Sequence, residues 1–245
     1  MKGGRSGERA DVLLVRCGAV ADTDTAQRLI LAGKVYAGTE RVDKAGDRFP
    51  ASTRLEVRGL KRFVSRGGLK LEQALNDFSI DVSDRVCVDA GASSGGFTDC
   101  LLRRGASVVY AVDVGYGQLA WELRSDDRVR VMERTNIRSI EREALDPQPT
   151  LVVADLSFCS LRTVVRHLVE LAGAGGDLVV LVKPQFEVDG EDAPGGVVVE
   201  ESVRRSAIAG VTTAAEACGA SVIAETVSPI TGAEGNIEFL LHLRS

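Results

Sequence analysis

The chain has few of the residues that build disulfide frameworks and zinc sites. Its 245 residues include five dispersed cysteines, which form no Cys-x-x-Cys pair, and two histidines. This composition argues against both a disulfide scaffold and a zinc site, and it is typical of a protein in a reducing cytosol. We therefore expect a cytoplasmic protein without a metal centre.

Long apolar runs are also missing. No run approaches the roughly 20 residues that span a bilayer, and the polar stretch 1–7 lacks the apolar segment of a signal peptide. We expect no membrane partner. Hydrophobic residues nevertheless make up 44% of the chain, which is enough for the core of one large domain or of a small and a medium one.

Charge is divided unevenly along the chain. Residues 1–66 contain 14 Lys and Arg against 8 Asp and Glu, whereas residues 67–245 contain 16 against 27. Because polyanions bind basic surfaces, the first segment is predicted to meet a polyanion while the second has another task. Ordinary solvated charge on a small domain is an alternative that charge alone leaves open.

The first segment has its own pattern of elements. A helix is expected to begin over 9–14, and a second over 26–32, with Asp24-Thr25 as its N-cap and Gly33 at its end. A strand over 34–37 and a turn at Gly38 follow. Two short helices, then Gly-x-Val-x-x-Gly and a Lys-x-Gly-Asp turn, resemble the S4 RNA-binding domain.

That resemblance implies a small RNA-binding domain over 1–60, joined by a basic linker, 61–66, to the rest of the chain. Its cations would contact the phosphates of folded RNA and supply affinity and orientation rather than sequence reading. The candidate RNA-binding residues, including two in the linker, are Arg9, Arg16, Arg28, Lys34, Lys44, Arg62 and Arg66.

Beyond the linker, strand and helix patterns alternate. This alternation predicts an α/β fold with a doubly wound, mostly parallel sheet. The last two strands are separated only by a loop, so we expect them to be antiparallel neighbours. The predicted strands cover 86–90, 108–113, 129–133, 151–155, 178–183, 221–228 and 237–243.

A glycine-rich turn follows the first of these strands. Gly91, Gly95 and Gly96 allow a tight turn and a close approach to a ligand, and the next strand ends in Asp113, whose carboxylate suits ribose hydroxyls. The turn is not the Gly-x-Gly-x-x-Gly of a dinucleotide site. Asp89 would repel phosphate but can order a loop around an ammonium group. These features favour S-adenosylmethionine; a nicotinamide-dependent oxidoreductase and a strand-turn-helix without a ligand are the alternatives.

Charged residues end two of the apolar strands, where ligands of α/β folds gather. Asp155 follows one, and Lys183 follows another and precedes Pro184, which stops the strand. The 155–158 loop lacks the Pro-Pro-aromatic turn of N-methylating enzymes and the Pro-Cys of carbon methylation, and Cys159 is interpreted as a core residue. A buried lysine flanked by carboxylates suits hydroxyl chemistry, because burial lowers the pKa of an amine that must accept a proton.

Five segments in this order closely resemble the TlyA (hemolysin A) family: 62–71, 89–98, 114–119, 155–158 and 182–187. The resemblance covers nearly the whole chain. It implies an S4 domain and, over 67–245, a Rossmann-like class I methyltransferase domain with a seven-stranded sheet whose last strand is antiparallel. It also implies 2′-O-methylation of ribose, typically of cytidine, in ribosomal RNA with S-adenosylmethionine as donor.

The resemblance assigns a catalytic tetrad to Lys70, Asp155, Lys183 and Glu238. Lys183 would be the base, and the other three residues would adjust the pKa of Lys183 and hold the ribose. Glu238 lies between apolar neighbours, so its own surroundings favour a solvent-facing position; the resemblance overrides that expectation.

The cofactor contacts that the resemblance implies are Asp89, Gly91, Ala92, Ser93, Ser94, Gly95, Gly96, Phe97, Thr98 and Asp113. Asn136 is a further candidate, for the adenine edge, with a role as a turn residue as the equal alternative. A non-catalytic RNA-binding or ribosome-assembly factor remains the competing class of protein. The four tetrad residues argue against it, because a binding module has no need of them.

Overall fold

The computed structural model describes residues 7–59, 62–232 and 234–245. Its contacts divide the chain into two units, Met1–Lys61 and Arg62–Ser245. Residues 62–66 of the predicted linker therefore group with the second unit. Within it, Phe63 is buried against Gly68, where a Cβ would lie 2.3 Å from the phenyl Cγ, so the backbone of the first helical turn closely approaches the ring.

In its described residues, the first unit contains two helices and five short strands. Strand β2 pairs with β3 and β5 in an antiparallel sheet, and β1 pairs with β4. Apolar side chains of both helices pack on the sheet and form a separate core. The elements are β1 (Glu8–Arg9), α1 (Ala10–Arg16), α2 (Thr23–Leu31), β2 (Val35–Ala37), β3 (Glu40–Arg41), β4 (Arg48–Phe49) and β5 (Leu55–Val57).

The start of α2 corrects the predicted N-cap. Asp22, and not Asp24-Thr25, caps this helix, and its side chain accepts a hydrogen bond of 2.7 Å from the Thr25 backbone N–H. Asp22 has the extended backbone that an N-cap requires, whereas Asp24 already lies in the first helical turn. The other end agrees with the prediction, since Gly33 follows the helix with φ +67°.

The second unit is built on a seven-stranded sheet. Its strands are β6 (Val86–Ala90), β7 (Val108–Val112), β8 (Val129–Met132), β9 (Leu151–Ala154), β10 (Asp177–Val182), β11 (Ser221–Val227) and β12 (Phe239–Arg244). They lie in the order β11-β12-β10-β9-β6-β7-β8. The last strand, β12, is antiparallel to both of its neighbours, and the pairs from β10 to β8 are parallel. The predicted Rossmann-like fold is confirmed.

Helices cover both faces of this sheet. They are α3 (Gly67–Asp77), α4 (Gly96–Arg103), α5 (Trp121–Arg124), α6 (Val165–Ala172) and α7 (Glu201–Glu216). Successive residues of a strand face opposite sides: Val180 packs in the cluster with α6 and α7, and Val179 in the cluster with α3 and α4. Both faces are apolar, and the charged residues Asp113, Asp155 and Lys183 lie directly after the ends of β7, β9 and β10, whereas the buried Asp89 lies within β6.

Short 3₁₀ helices occupy several of the connections. One such turn, Leu161–Thr163, precedes α6. Another such turn follows β10 and begins at Pro184, which ends the strand as predicted. The 3₁₀ segments are Ile137–Ser139, Arg142–Ala144, Leu161–Thr163, Pro184–Phe186, Gly190–Asp192 and Pro194–Gly196.

Candidate active site

The turn after β6 requires glycine at two positions. Gly91 and Gly95 have φ values of +85° and +96°. A Cβ at Gly91 would lie 2.5 Å from the Asp155 carbonyl oxygen, and one at Gly95 would lie 2.2 Å from Leu123 Cδ1. The close approach of Gly91 to Asp155 brings the ends of β6 and β9 together.

Asp89 stabilises this turn from within. It is fully buried, and its Oδ2 accepts a hydrogen bond of 2.6 Å from the Thr98 hydroxyl in α4. Its Oδ1 has no hydrogen-bond partner within residues 7–59, 62–232 and 234–245. Burial raises the pKa of Asp89 to about 7, and the carboxylates of Asp155 and Asp113 add to the increase.

A cavity of about 460 Å³, the larger cavity, opens beyond the ends of β6, β7 and β9. Asp113 lies in its wall. The Asp113 carboxylate accepts a hydrogen bond of 2.8 Å from the Ser93 N–H and one of 2.7 Å from the Gly115 N–H. Each carboxylate oxygen has a further lone pair, so Asp113 can accept ligand hydroxyls while it holds the turn. The wall also contains Val112, Ile137, Leu156, Cys159 and Val164.

Asn136 also lines the larger cavity. Its side-chain oxygen accepts a hydrogen bond of 3.1 Å from the Arg138 N–H and caps the following 3₁₀ turn. The structure therefore shows the turn role for Asn136, and contact with an adenine edge stays a prediction. Cys159, interpreted from the sequence as a core residue, is only partly buried: it packs against the hydrophobic core and also lines the larger cavity.

The four predicted catalytic residues line a second cavity of about 370 Å³, the smaller cavity. They form two ion pairs. Lys70 Nζ lies 2.5 Å from Glu238 Oε2, and Lys183 Nζ lies 2.6 Å from Asp155 Oδ1. Lys70 comes from α3, and the other three residues come from the ends of β9 and β10 and from the residue before β12.

The position of Glu238 contradicts the solvent-facing expectation that its own neighbours suggest. It precedes β12 and is only 2% exposed. Its carboxylate is tolerated there because Lys70 supplies a counter-charge, without which a buried carboxylate is costly. The placement that the family resemblance implies is the one observed.

The two cavities share part of their walls. Gly91, Ser93 and Asp155 line both. Four other predicted turn residues line the smaller cavity: Ala92, Ser94, Gly96 and Phe97. The remaining predicted residues of this segment are buried in the described chain: Asp89, Gly95 and Thr98. A ligand bound in the larger cavity and a ligand bound in the smaller cavity would therefore meet beside Asp155.

Two contacts in the loops beside this site were missed from the sequence. Ser157 accepts a hydrogen bond of 2.7 Å from Lys183 Nζ. Glu187, which follows β10, accepts hydrogen bonds of 2.5 Å from the Ser160 hydroxyl and 2.7 Å from the Leu161 N–H. Burial raises the pKa of Glu187. Ser157 and Glu187 lie inside the family segments 155–158 and 182–187, and that position was the available signal.

The candidate RNA-binding residues of the first unit are all exposed: Arg9, Arg16, Arg28, Lys34 and Lys44. Two are oriented by carboxylates. Arg9 donates hydrogen bonds of 3.0 and 2.6 Å to the buried Asp11, and Arg16 lies 2.9 Å from Glu8. The hydrogen bond from Arg9 lowers the pKa of Asp11 to about 2. Arg9 and Arg16 are thus exposed and at the same time paired with carboxylates of their own unit.

The two basic candidates of the linker belong to the second unit. Arg62 forms an ion pair of 2.6 Å with Glu72, and the exposed Arg66 lines the smaller cavity. Across the described ranges there is no group of three or more His, Cys, Asp or Glu side chains that could hold a metal ion. The described helices also include none that is long and apolar enough to cross a membrane.

Comparison with protein families identifies the class of the second unit. The model of the FtsJ-like methyltransferase family matches residues 63–245. Together with the strand order and the glycine turn, this match defines an S-adenosylmethionine-dependent methyltransferase domain.

Relatives that align with most of the chain identify its family more narrowly than the match of the second unit does. The chain is 46% identical over 245 residues to the 16S/23S rRNA (cytidine-2′-O)-methyltransferase TlyA of Mycobacterium tuberculosis, covering 97% of this chain and 90% of that protein. It is 38% identical over 219 residues to Hemolysin A of Brachyspira hyodysenteriae, covering 89% and 91%. A solved structure described as "Putative hemolysin from Streptococcus thermophilus" is similar with a TM-score of 0.74 and 44% identity, over 99% of this chain and 90% of that one. The chain belongs to the TlyA (hemolysin A) family.

Proposed function

We propose that the protein methylates the 2′-hydroxyl of a ribose, a cytidine ribose by analogy with its relatives, in ribosomal RNA. The observation that carries this proposal is the pair of Lys–carboxylate contacts in the smaller cavity, beside the wall shared with the larger one. A hydroxyl is a weak nucleophile and needs a positioned base as it reacts. The site supplies two lysines and two carboxylates for that task.

The larger cavity fits S-adenosylmethionine. Its volume lies in the range of small-molecule sites, its apolar wall suits a purine, and Asp113 suits ribose hydroxyls. Asp89 has one buried oxygen without a partner in the described chain, beneath a turn that would surround an amino-acid group. When bound, S-adenosylmethionine supplies a methyl group that is electrophilic because it is attached to a positively charged sulfur.

The tetrad residues take different parts in this proposal. Lys183 accepts the proton of the ribose hydroxyl as the oxygen is methylated. Asp155 holds the Lys183 amine, at 2.6 Å, at the wall shared by both cavities. The buried pair of Lys70 and Glu238 offers hydrogen-bond donors and acceptors to the ribose. Together these residues place the hydroxyl close to the donor, which lowers the entropic part of the barrier.

The first unit supplies the RNA affinity. Its exposed cations would contact phosphates, as in the S4 domain that the sequence resembles, and neutralise several of them. Arg66, at the rim of the smaller cavity, would contact a phosphate next to the target nucleotide. A ribosomal RNA substrate would place the protein in the cytoplasm.

Tritium transfer tests this function. The full chain is incubated with S-adenosylmethionine labelled in the methyl group and with ribosomal subunits, intact ribosomes or free ribosomal RNA. We expect label in 2′-O-methylated nucleosides of RNA from cells that lack this protein, and none in RNA that it has already modified in vivo. Binding of S-adenosylmethionine without transfer to any of these substrates would instead support the non-catalytic assembly factor. Label on a base would refute hydroxyl chemistry.

A further inference from the structure

We propose that Ser157 is a positioning residue that, with Asp155, aims the amine of Lys183 at the acceptor ribose. This inference rests on the proposed function, because it assigns a geometry to the proposed base. It adds a residue outside the predicted tetrad. The hydroxyl of Ser157 would act through Lys183 and would not touch the reacting atoms.

The contacts of the Lys183 amine carry the argument. In the described part of the chain, Nζ has two polar contacts: an ion pair of 2.6 Å with Asp155 Oδ1 and a hydrogen bond of 2.7 Å to Ser157 Oγ. The Phe186 ring lies 5.9 Å from the same atom, measured to its centroid. Lys183 itself is 8% exposed and lines the smaller cavity. The amine is therefore held from two sides at the edge of the cavity that would receive the ribose.

The number of partners matches what a base requires. A neutral amine has two N–H groups and one lone pair in a tetrahedral arrangement. If Asp155 and Ser157 accept the two N–H groups, the lone pair occupies a remaining direction and is available to the smaller cavity. A single acceptor would leave the amine free to rotate about that one hydrogen bond, and lysine has a long, flexible side chain. The second acceptor fixes the direction of the lone pair.

The proton and electron balance of the step is simple. The ribose O–H bond breaks, and its proton forms the third N–H bond of Lys183. The ribose oxygen forms a bond to the methyl carbon, and the electron pair of the broken carbon–sulfur bond stays on the sulfur. Asp155 and Ser157 keep their contacts with the amine throughout, so no other side chain has to move.

A purely structural role for Ser157 is less consistent with the contacts. The loop after Asp155 is already tied to the segment after β10 by Glu187, which accepts from both Ser160 and Leu161. Ser157 is exposed, and its hydroxyl accepts a hydrogen bond from the Lys183 side chain. Removing its hydroxyl would therefore change the surroundings of the amine and leave the loop anchored.

The test compares Ser157→Ala, Ser157→Thr and the matched control Ser160→Ala in the full chain. Because misplaced catalytic groups cost large factors in rate, we expect Ser157→Ala to lower kcat by about 10- to 100-fold. The KM for RNA should stay unchanged, and the KM for S-adenosylmethionine, whose proposed cavity Ser157 lines, should change much less than kcat. Ser157→Thr, which keeps a hydroxyl, should restore most of kcat, and Ser160→Ala, which alters the same loop away from Lys183, should affect kcat much less.

Crystal structures supply a readout that does not depend on activity. In Ser157→Ala we expect Lys183 Nζ to leave its wild-type position or to occupy more than one rotamer. An unmoved Nζ, a wild-type kcat in Ser157→Ala, or an equal loss in Ser160→Ala would overturn the inference while leaving the proposed function intact. Failure of the wild-type protein to methylate ribose would overturn the function, and the position of Nζ would still decide the geometric part.

Discussion

Lys70 and Glu238 lie 168 positions apart in the chain, yet their side chains form a buried ion pair with 2.5 Å between Nζ and Oε2. The pair connects α3, the first helix of the second unit, to the residue that precedes its last strand. Each charge is tolerated in the interior because the other is present. The site therefore depends on the two ends of the second unit at once.

Glu238→Ala tests that dependence. It leaves the Lys70 ammonium buried and unpaired, so we expect the free energy of unfolding to fall by about 3 to 5 kcal/mol. Urea denaturation measures the change. The matched control is Glu225→Ala, which breaks the more exposed Arg205–Glu225 pair of 2.6 Å and should cost less than about 1 kcal/mol. Equal losses in the two variants would contradict a buried, mutually dependent pair.

Lys183 provides the test of the base. Lys183→Ala should lower kcat by about 100- to 10,000-fold, the range of general-base catalysis. Lys183→Arg should be similarly inactive, because a guanidinium keeps the positive charge but does not accept a proton at ordinary pH. Calorimetry should show nearly unchanged affinity for S-adenosylmethionine in both variants. Substantial turnover by Lys183→Arg would assign Lys183 an electrostatic role instead.

The cations of the first unit are predicted to act through phosphates. Lys34→Ala and Lys44→Ala should each weaken RNA binding at low salt and reduce the dependence of log K on log salt concentration by about one unit. Filter binding across a salt series measures both effects. Lys44→Arg should keep the wild-type slope. If the alanine variants bind RNA as the wild type does, these two lysines lie outside the RNA interface.

Asp89 should make stability depend on pH. Its folded pKa, about 7, lies above the value near 4 of an unfolded chain. The folded state thus retains a proton that the unfolded state has released, so the contribution of Asp89 is most favourable below pH 4. Stability then falls by up to about 4 kcal/mol as the pH rises from 4 to 7.

The variant Asp89→Asn removes this titration. Urea denaturation without S-adenosylmethionine measures the free energy of unfolding at pH 5 and at pH 8. The change in this free energy between the two pH values should be clearly smaller for Asp89→Asn than for the wild type. For each protein, the free energy of unfolding at pH 8 is subtracted from that at pH 5. Any destabilisation by the substitution that is the same at both pH values therefore cancels. Equal pH differences in the two proteins would show that Asp89 is ionised in the folded state throughout this range.

The elements of the sheet were predictable because their signals are local. The run 86–90 is apolar and is followed by glycine, and it matches β6 without correction. Capping was less certain, since Asp22 and Asp24 are both suitable residues and only the backbone at the helix start distinguishes them. Local patterns thus located elements well and their first residues less well.

The contacts inside the site depend on distant parts of the chain. The burial of Glu238 follows from Lys70 in α3, and the contact of Ser157 follows from Lys183 after another strand. The residues next to Glu238 and Ser157 in the sequence do not indicate these contacts. The immediate sequence around Glu238 therefore suggested the wrong environment. The family resemblance located Glu238, but it did not reveal the contact of Ser157 with Lys183 or that of Glu187 with Ser160.

The strand order has a consequence for synthesis. Strand β12 is inserted between β10 and β11, and Glu238 immediately precedes it. An incomplete chain that still lacks β12 leaves a gap in the sheet and presents Lys70 without its partner. The ribosome therefore has to synthesise the chain as far as β12 before the site can assemble, so a growing chain that lacks β12 is expected to be inactive toward the ribosome that is making it.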